Sequence, residues 1–498
     1  MKLASRMHEE GRHYLILAAV VLAAFAVRLA ALFLTISIPG DGPARATRAY
    51  VWVQSPFFRR GGLWLRGYEY LVGMFGSLLG DPLLASRLLN VLFGTCTVLL
   101  FYLLVRKVFD PVTGLISASV LAFFPLHIGL SAGTLTELSF ACEVVAGLLF
   151  LIEATGPATG KGRALSLILS LLFLCLAAMT RYEAWVLIPV FPCYYFWKTR
   201  KFFVSLVIAA VLAVFPLVWT LNNYLYMGGA FRGFTHATAW HHGARPVGLL
   251  YAVRIIIGKS LYHLGWIVPA LATAGMGMQF YQAVKRRVSP ERVLYILIAC
   301  IFWAGVLAYA LARGLRLWDR FLLFAFLLVL PFAAMPLSRW YAGGGKKRSF
   351  LVILLTIIMV VSVVYKPEAY DSLYQERNLF YVTLWRPREM EKLADWLKRS
   401  PYRDSPVVLT RLHGQSSYLS FYFPESSSRR FIIKHPAEDD IRRVLKSRRP
   451  ALFITDSHDE IQLTMEKLLG RELKEMLVYK QGVIRVYDIS SAVNSMRF

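Results

Sequence analysis

Long apolar runs recur from residue 14 to residue 365, and a bilayer accepts such segments only when they satisfy their own backbone polar groups, as helices do. A span needs roughly 17–25 residues to cross the hydrocarbon core. Eleven runs are readable: 14–37, 83–105, 112–130, 135–153, 164–180, 183–197, 202–221, 260–281, 292–312, 317–336 and 349–365. Composition agrees, because 57% hydrophobic residues and a mean hydropathy of +0.51 are too apolar for a soluble chain of 498 residues. The expected fold is a polytopic α-helical membrane protein of about 11 transmembrane helices over residues 1–365. A small extracytoplasmic α/β domain is expected over 366–498. The first run is too long for the apolar core of a signal peptide, and Pro39 and Asp41 follow it in place of a small-residue cleavage site. It is expected to stay as an anchor.

Basic residues orient the chain, since Lys and Arg collect in cytoplasmic connections. With Lys2, Arg6 and Arg12 inside, the pairs and triplets at Arg106-Lys107, Lys161/Arg163, Lys198/Arg200/Lys201, Lys285-Arg286-Arg287 and Lys346-Lys347-Arg348 all fall on the same side. Of the nine lysines before residue 366, only Lys259 falls outside. The outer connections keep arginine instead, including Arg45, Arg48, Arg59, Arg60, Arg66, Arg181, Arg232, Arg245, Arg313, Arg316 and Arg320. Arginine suits two-pronged recognition of phosphate or carboxylate, and lipid headgroups are the competing explanation. The net charge of +26 reflects anionic lipid and topology signals rather than nucleic acid. All five cysteines (Cys96, Cys142, Cys175, Cys193, Cys300) lie within expected spans, so neither a disulfide framework nor a cysteine metal site follows.

After Tyr365 the pattern becomes that of a soluble domain. An amphipathic helix is expected over 387–399, short buried strands over 406–410 and 451–455, and a final hairpin with a Gln-Gly turn. Strands alternating with helices predict an α/β layer, a cap or acceptor-binding module.

The topology gathers chemistry on the outer side. Asp41 follows the first span between Gly40 and Gly42, with Pro39 and Pro43 beyond them. A stiff turn of that kind can hold a carboxylate still, as a general base requires, or be a turn that simply ends a helix. Arg181 and Glu183 in MTRYEAW read either as an interfacial salt bridge or as a phosphate-binding arginine held by an acid. Tyr68 and Glu69, His127, and Glu137 in SAGTLTE are candidates for acceptor binding or support. Arg28, Arg87 and Glu143 fall inside expected spans, where charge is expensive, and predict a structural Arg–Glu pair. His236, His241 and His242 have an unspecific spacing, and a solvated or substrate-contacting loop is favoured over a metal site.

The segments GDGPARATRAY, W-x-x-x-Y-E-Y-L, GDPLLASRLLNVLFGT, FFPLHIGLSAGTLTE, MTRYEAW and RGLRLWDRFLLF together resemble the multi-spanning GT-C glycosyltransferases. Within these the chain is most similar to the bacterial family of protein O-mannosyltransferases and aminoarabinose transferases. The resemblance covers residues 14 to about 340. It implies a polyprenyl-phosphate-linked sugar donor, an extracytoplasmic glycan, lipid or protein acceptor, and inversion at the anomeric carbon. It implies a bacterial cytoplasmic membrane with the active site outside. By position Asp41 matches the first-loop catalytic acid, and Arg181, Arg320, Arg45 and Arg48 match a site for the donor phosphate. Several members pair two adjacent acids in the first loop, whereas Asp41 is followed by Gly42. That departure implies a single-acid version with no cofactor or divalent metal, in which arginine stabilises the leaving group, or an inactive relative. Two rivals stand beside this reading: a non-enzymatic carrier of lipid-linked sugars, which would share the arginine-lined cavity without needing Asp41 as a base, and an oligosaccharide ligase or polymerase, which uses a diphosphate-linked glycan and a large outer loop such as 222–258.

Overall fold

A computed structural model describes residues 2–34, 42–56, 64–156, 160–231, 246–285, 288–313, 319–364, 388–409, 430–432, 438–456, 460–470, 472–481 and 484–496. Asp41, His236, His241 and His242 lie outside the described residues.

The chain is mostly helical. Helix α1 (Lys2–Leu34) is followed by two short helices, α2 (Gly42–Gln54) and α3 (Gly67–Leu79), then by α4 (Pro82–Val108). Asp81 starts α4 by accepting the Leu83 and Leu84 amides at 2.8 and 3.1 Å, with Pro82 in the first turn, where its missing N–H costs nothing. Asp110 and Pro111 repeat the device for α5 (Pro111–Ala122). Next come α6 (Pro125–Ser131), α7 (Glu137–Ala154), α8 (Lys161–Thr180), α9 (Val190–Thr199) and α10 (Phe202–Met227). The bundle closes with α11 (Leu249–Leu264), α12 (Ile267–Val284), α13 (Pro290–Arg313), α14 (Leu323–Ala342) and α15 (Lys346–Val364).

The described residues of the expected apolar runs are helical apart from short breaks, and they do not confirm the count of eleven spans. Seven helices among the described residues are long and apolar enough to cross a membrane, and up to nine if two bent pairs each count as one. The run 183–197 begins as a 3-10 turn (Tyr182–Leu187), and α9 behind it has only ten residues, about 15 Å of helix. Helix α7 carries Glu137, Glu143 and Glu153 within eighteen residues and is buried along nearly its whole length. The run 260–281 breaks between α11 and α12 with a bend of 112°. Gly265 makes that break at φ +68°, where a Cβ would lie 2.7 Å from the Ser362 carbonyl oxygen.

The intramembrane charges correct a second expectation. No Arg–Glu pair joins Arg28, Arg87 and Glu143 among the described residues. Between α5 and α6 the path bends by 60°, which frees backbone carbonyls. Arg28 donates to those of Leu121 and Ala122 at 3.3 and 3.0 Å, and its guanidinium lies 2.7 Å from His127 Nδ1. Arg87 donates to the Leu32 and Ala132 carbonyls, and Glu143 accepts from Thr180 Oγ1 at 3.3 Å. Backbone acceptors at helix ends outcompete a distant carboxylate because the break leaves them otherwise unsatisfied in an apolar bundle.

The tail contains a five-stranded sheet in the order β2-β1-β3-β5-β4. Strands β1 (Val407–Leu409), β2 (Arg430–Ile432) and β3 (Leu452–Asp456) run parallel, and the hairpin β4 (Leu477–Gln481) and β5 (Ile484–Asp488) adds antiparallel. Alternation along β1 sends Val407 and Leu409 to the face covered by α16 (Arg388–Arg399). Val408 faces α17 (Glu438–Arg448) and α18 (Glu460–Leu469). Leu83, at the start of α4, packs against the first of these faces. Strand β2 is only three residues long, too short for its sequence pattern to mark it as a strand.

Candidate active site

Two groups of charged side chains meet at one end of the bundle. The first surrounds Glu69, which lies in the first turn of α3 and is 2% exposed. Arg66, three residues earlier, donates to Glu69 Oε2 at 2.5 Å. Arg48 and Arg45 approach the other oxygen at 3.5 and 3.9 Å. Both come from α2, three residues apart and so on one face, and both rest on the ring of Trp64, at 4.1 and 4.7 Å from its centroid. Three guanidinium groups thus surround one carboxylate. Burial lowers the Arg48 pKa to about 10, opposed by Glu69 and reinforced by Arg66 and Arg45, so Arg48 stays protonated at neutral pH.

The second group surrounds Arg181, the residue that ends α8. Arg181 donates to Glu137 Oε1 at 2.7 Å, to Glu183 Oε1 at 2.5 Å and to Thr136 Oγ1 at 3.2 Å. Arg320, in the 3-10 turn Asp319–Leu322 that opens α14, reaches the same Glu137 oxygen at 3.7 Å. Burial favours the neutral Glu183 carboxyl, but the Arg181 guanidinium outweighs it and holds the pKa below the ordinary value. With two arginines and two glutamates this group is neutral.

The two groups adjoin. Arg66 and Gly67 begin α3 against the end of α8, and a Cβ on Gly67 would lie 2.7 to 2.9 Å from Met179 atoms, including its backbone carbonyl. Tyr68 sits between them, fully buried; burial raises its phenol pKa, Arg45 opposing and Glu137 adding to the shift. Gly67→Ala should therefore separate α3 from α8, costing about 1–3 kcal/mol of stability and lowering activity. Gly162→Ala, which meets nothing within 4 Å, is the control. Equal thermal unfolding curves and equal activity for the two variants would refute the close approach.

Sequence reasoning names Arg45, Arg48, Glu69, Glu137, Arg181, Glu183 and Arg320, and the structure brings these seven together. Tyr68 is too buried to touch an acceptor and supports the site from beneath. His127 belongs with Arg28 at the helix break. Arg66, named from the sequence only as one outer arginine among many, and Trp64, present there only as the first residue of W-x-x-x-Y-E-Y-L, join the site; the R-x-x-E spacing at a helix start is the available signal for Arg66. The opposite end of the bundle holds Lys107–Glu153 at 3.1 Å and Lys198–Glu291 at 2.6 Å, with no comparable cluster among the described residues.

Residues 67–220 match the family model described as dolichyl-phosphate-mannose-protein mannosyltransferase. The structure is similar to that of ArnT from Cupriavidus metallidurans bound to undecaprenyl phosphate, with a TM-score of 0.63 and 14% identity over 97% of this chain and 99% of that one. It is also similar to the archaeal oligosaccharyltransferase AglB from Archaeoglobus fulgidus in complex with an inhibitory peptide and a dolichol-phosphate. That match has a TM-score of 0.62 and 12% identity over 90% of this chain and 70% of the other. Comparison with curated proteins gave no match. The fold is that of the GT-C superfamily of membrane glycosyltransferases, as the sequence motifs implied.

Proposed function

We propose that this protein transfers a sugar from a polyprenyl-phosphate-linked donor to a hydroxyl of an acceptor outside the cytoplasmic membrane, with inversion. The observation that carries the reading is the group of three arginines around Glu69, set beside the Arg181 group in a GT-C fold. In the reaction Asp41 takes the acceptor proton, and the acceptor oxygen forms a bond to the anomeric carbon from the face opposite the phosphate. The carbon–oxygen bond to phosphate breaks and the phosphate keeps the electron pair.

The donor phosphodiester carries one negative charge, and the departing monoester approaches two. Guanidinium groups gathered where negative charge develops favour the leaving group over the donor, which is the condition for accelerating the step rather than merely binding substrate. Arg45, Arg48 and Arg66 are assigned to that phosphate, with Arg181 and Arg320 on the neighbouring wall. Arginine here has the part that a divalent cation has where two acids stand together, so no metal is assigned a role. The sheet domain is assigned to acceptor binding or to capping the site.

Reconstituted protein in vesicles, given radiolabelled polyprenyl-phosphate sugars and membrane extract as acceptor, tests this. Label is expected in the acceptor, with stoichiometric release of polyprenyl phosphate. Labelled lipid that crosses the bilayer unchanged, with no transfer, would make the protein a carrier and overturn the reading.

A further inference from the structure

Lys259 is the lysine that departs from the cytoplasmic pattern, and the structure shows where it goes. It lies on α11, 4% exposed, with Nζ hydrogen-bonded to Asp319 Oδ1. His263, one turn further along the same helix and 6% exposed, places Nε2 3.2 Å from Asp319 Oδ2. One helix thus hydrogen-bonds one oxygen of the carboxylate through Lys259 and sets the His263 ring against the other. Asp319 is the residue immediately before Arg320, and the two open the 3-10 turn that leads into α14.

Burying a lysine, a histidine and an aspartate inside an apolar bundle costs desolvation, and apolar side chains of the same volume would pack there at least as stably. What apolar packing would not do is fix the direction of a polar turn. Asp319 is tied to α11, while Arg320 projects to Glu137 of α7 and over the Phe321 ring, 5.2 Å from its centroid. His263 is itself steadied by the Phe326 ring, at 5.6 Å. The turn is held from one side and its guanidinium delivered to the other.

We infer that Lys259 and His263 are positioning residues for Arg320: through Asp319 they aim its guanidinium at the phosphate of the lipid donor. The inference rests on the phosphate-site reading above and adds residues remote from the phosphate to it. Lys259→Met and His263→Gln should each weaken binding of a short-chain polyprenyl phosphate, farnesyl phosphate, by roughly 2- to 30-fold. A merely structural role would move the unfolding temperature without this dependence on Arg320.

The test is a double-mutant cycle with Arg320→Ala, reading the farnesyl phosphate dissociation constant and the unfolding temperature of each purified variant. If Lys259 acts through Arg320, Lys259→Met weakens binding in the native background and changes it little once Arg320 is gone. Lys259→Arg, which keeps the charge and donors, should recover part of the loss. Equal, independent losses in both backgrounds would overturn the inference while leaving the phosphate site standing. Arg320→Ala binding as tightly as the native protein would overturn the inference and remove Arg320 from the phosphate site, leaving Arg45, Arg48 and Arg66 in it. Should Lys259→Met fail to fold, His263→Gln, which keeps a hydrogen-bonding side chain, carries the same cycle.

Discussion

Asp41→Asn is expected to lower sugar transfer by about 10²–10⁴-fold while leaving binding of polyprenyl phosphate unchanged. The substitution keeps the size of the side chain and removes its ability to accept a proton. Asp41 immediately precedes the helix that carries Arg45 and Arg48, so chain connectivity limits the separation between this acid and the guanidinium groups assigned to the phosphate. The other acids of the site are committed elsewhere. Glu69 is surrounded by three arginines, Glu137 is shared by two, and Glu183 is held ionised by Arg181. A folded Asp41→Asn protein that transfers sugar at the native rate would remove Asp41 as the base. Loss of transfer together with loss of lipid binding would instead make Asp41 part of the donor site.

Glu69→Gln should be the most destabilising of the conservative substitutions in the site, by about 3–5 kcal/mol, because it removes the carboxylate that three partly buried guanidinium groups share. Its diagnostic consequence is rescue. An anion that occupies the arginine group replaces the missing charge, so polyprenyl phosphate should raise the unfolding temperature of Glu69→Gln more than that of the native protein. Glu153→Gln at the opposite end provides the comparison. Its pair with Lys107 is 33% and 43% exposed and should be worth about 0–1 kcal/mol, with no rescue by phosphate. If phosphate stabilises native and Glu69→Gln proteins equally, the arginines around Glu69 are a structural knot and the lipid phosphate binds elsewhere.

Much of this architecture is legible in the chain itself. Hydropathy is a local sum, so the helical runs, the basic connections and the alternation of Val407, Val408 and Leu409 can be read from neighbouring residues. Gly80-Asp81-Pro82 and Asp110-Pro111 mark where helices stop and start. The difference between eleven expected spans and the seven to nine found among the described residues has a physical cause as well: hydropathy registers apolar length but not a break in the helix. Gly265 and the 3-10 turn at Tyr182–Leu187 divide runs that a sliding window joins.

What the sequence by itself determined is the class of the molecule and the end of the bundle at which its acids and the arginines of its lysine-poor connections collect. Membrane burial enforces both at every position along the chain. Which arginine meets which acid was decided only by the tertiary structure. Glu137 and Arg181 are separated by 44 residues, Lys259 and Asp319 by 60, and Arg28 found carbonyls rather than a carboxylate. An ion pair forms where packing of whole helices brings two groups within a few ångströms at a cost in desolvation that both can meet. That distance belongs to the assembled bundle, and no stretch of the chain carries it alone.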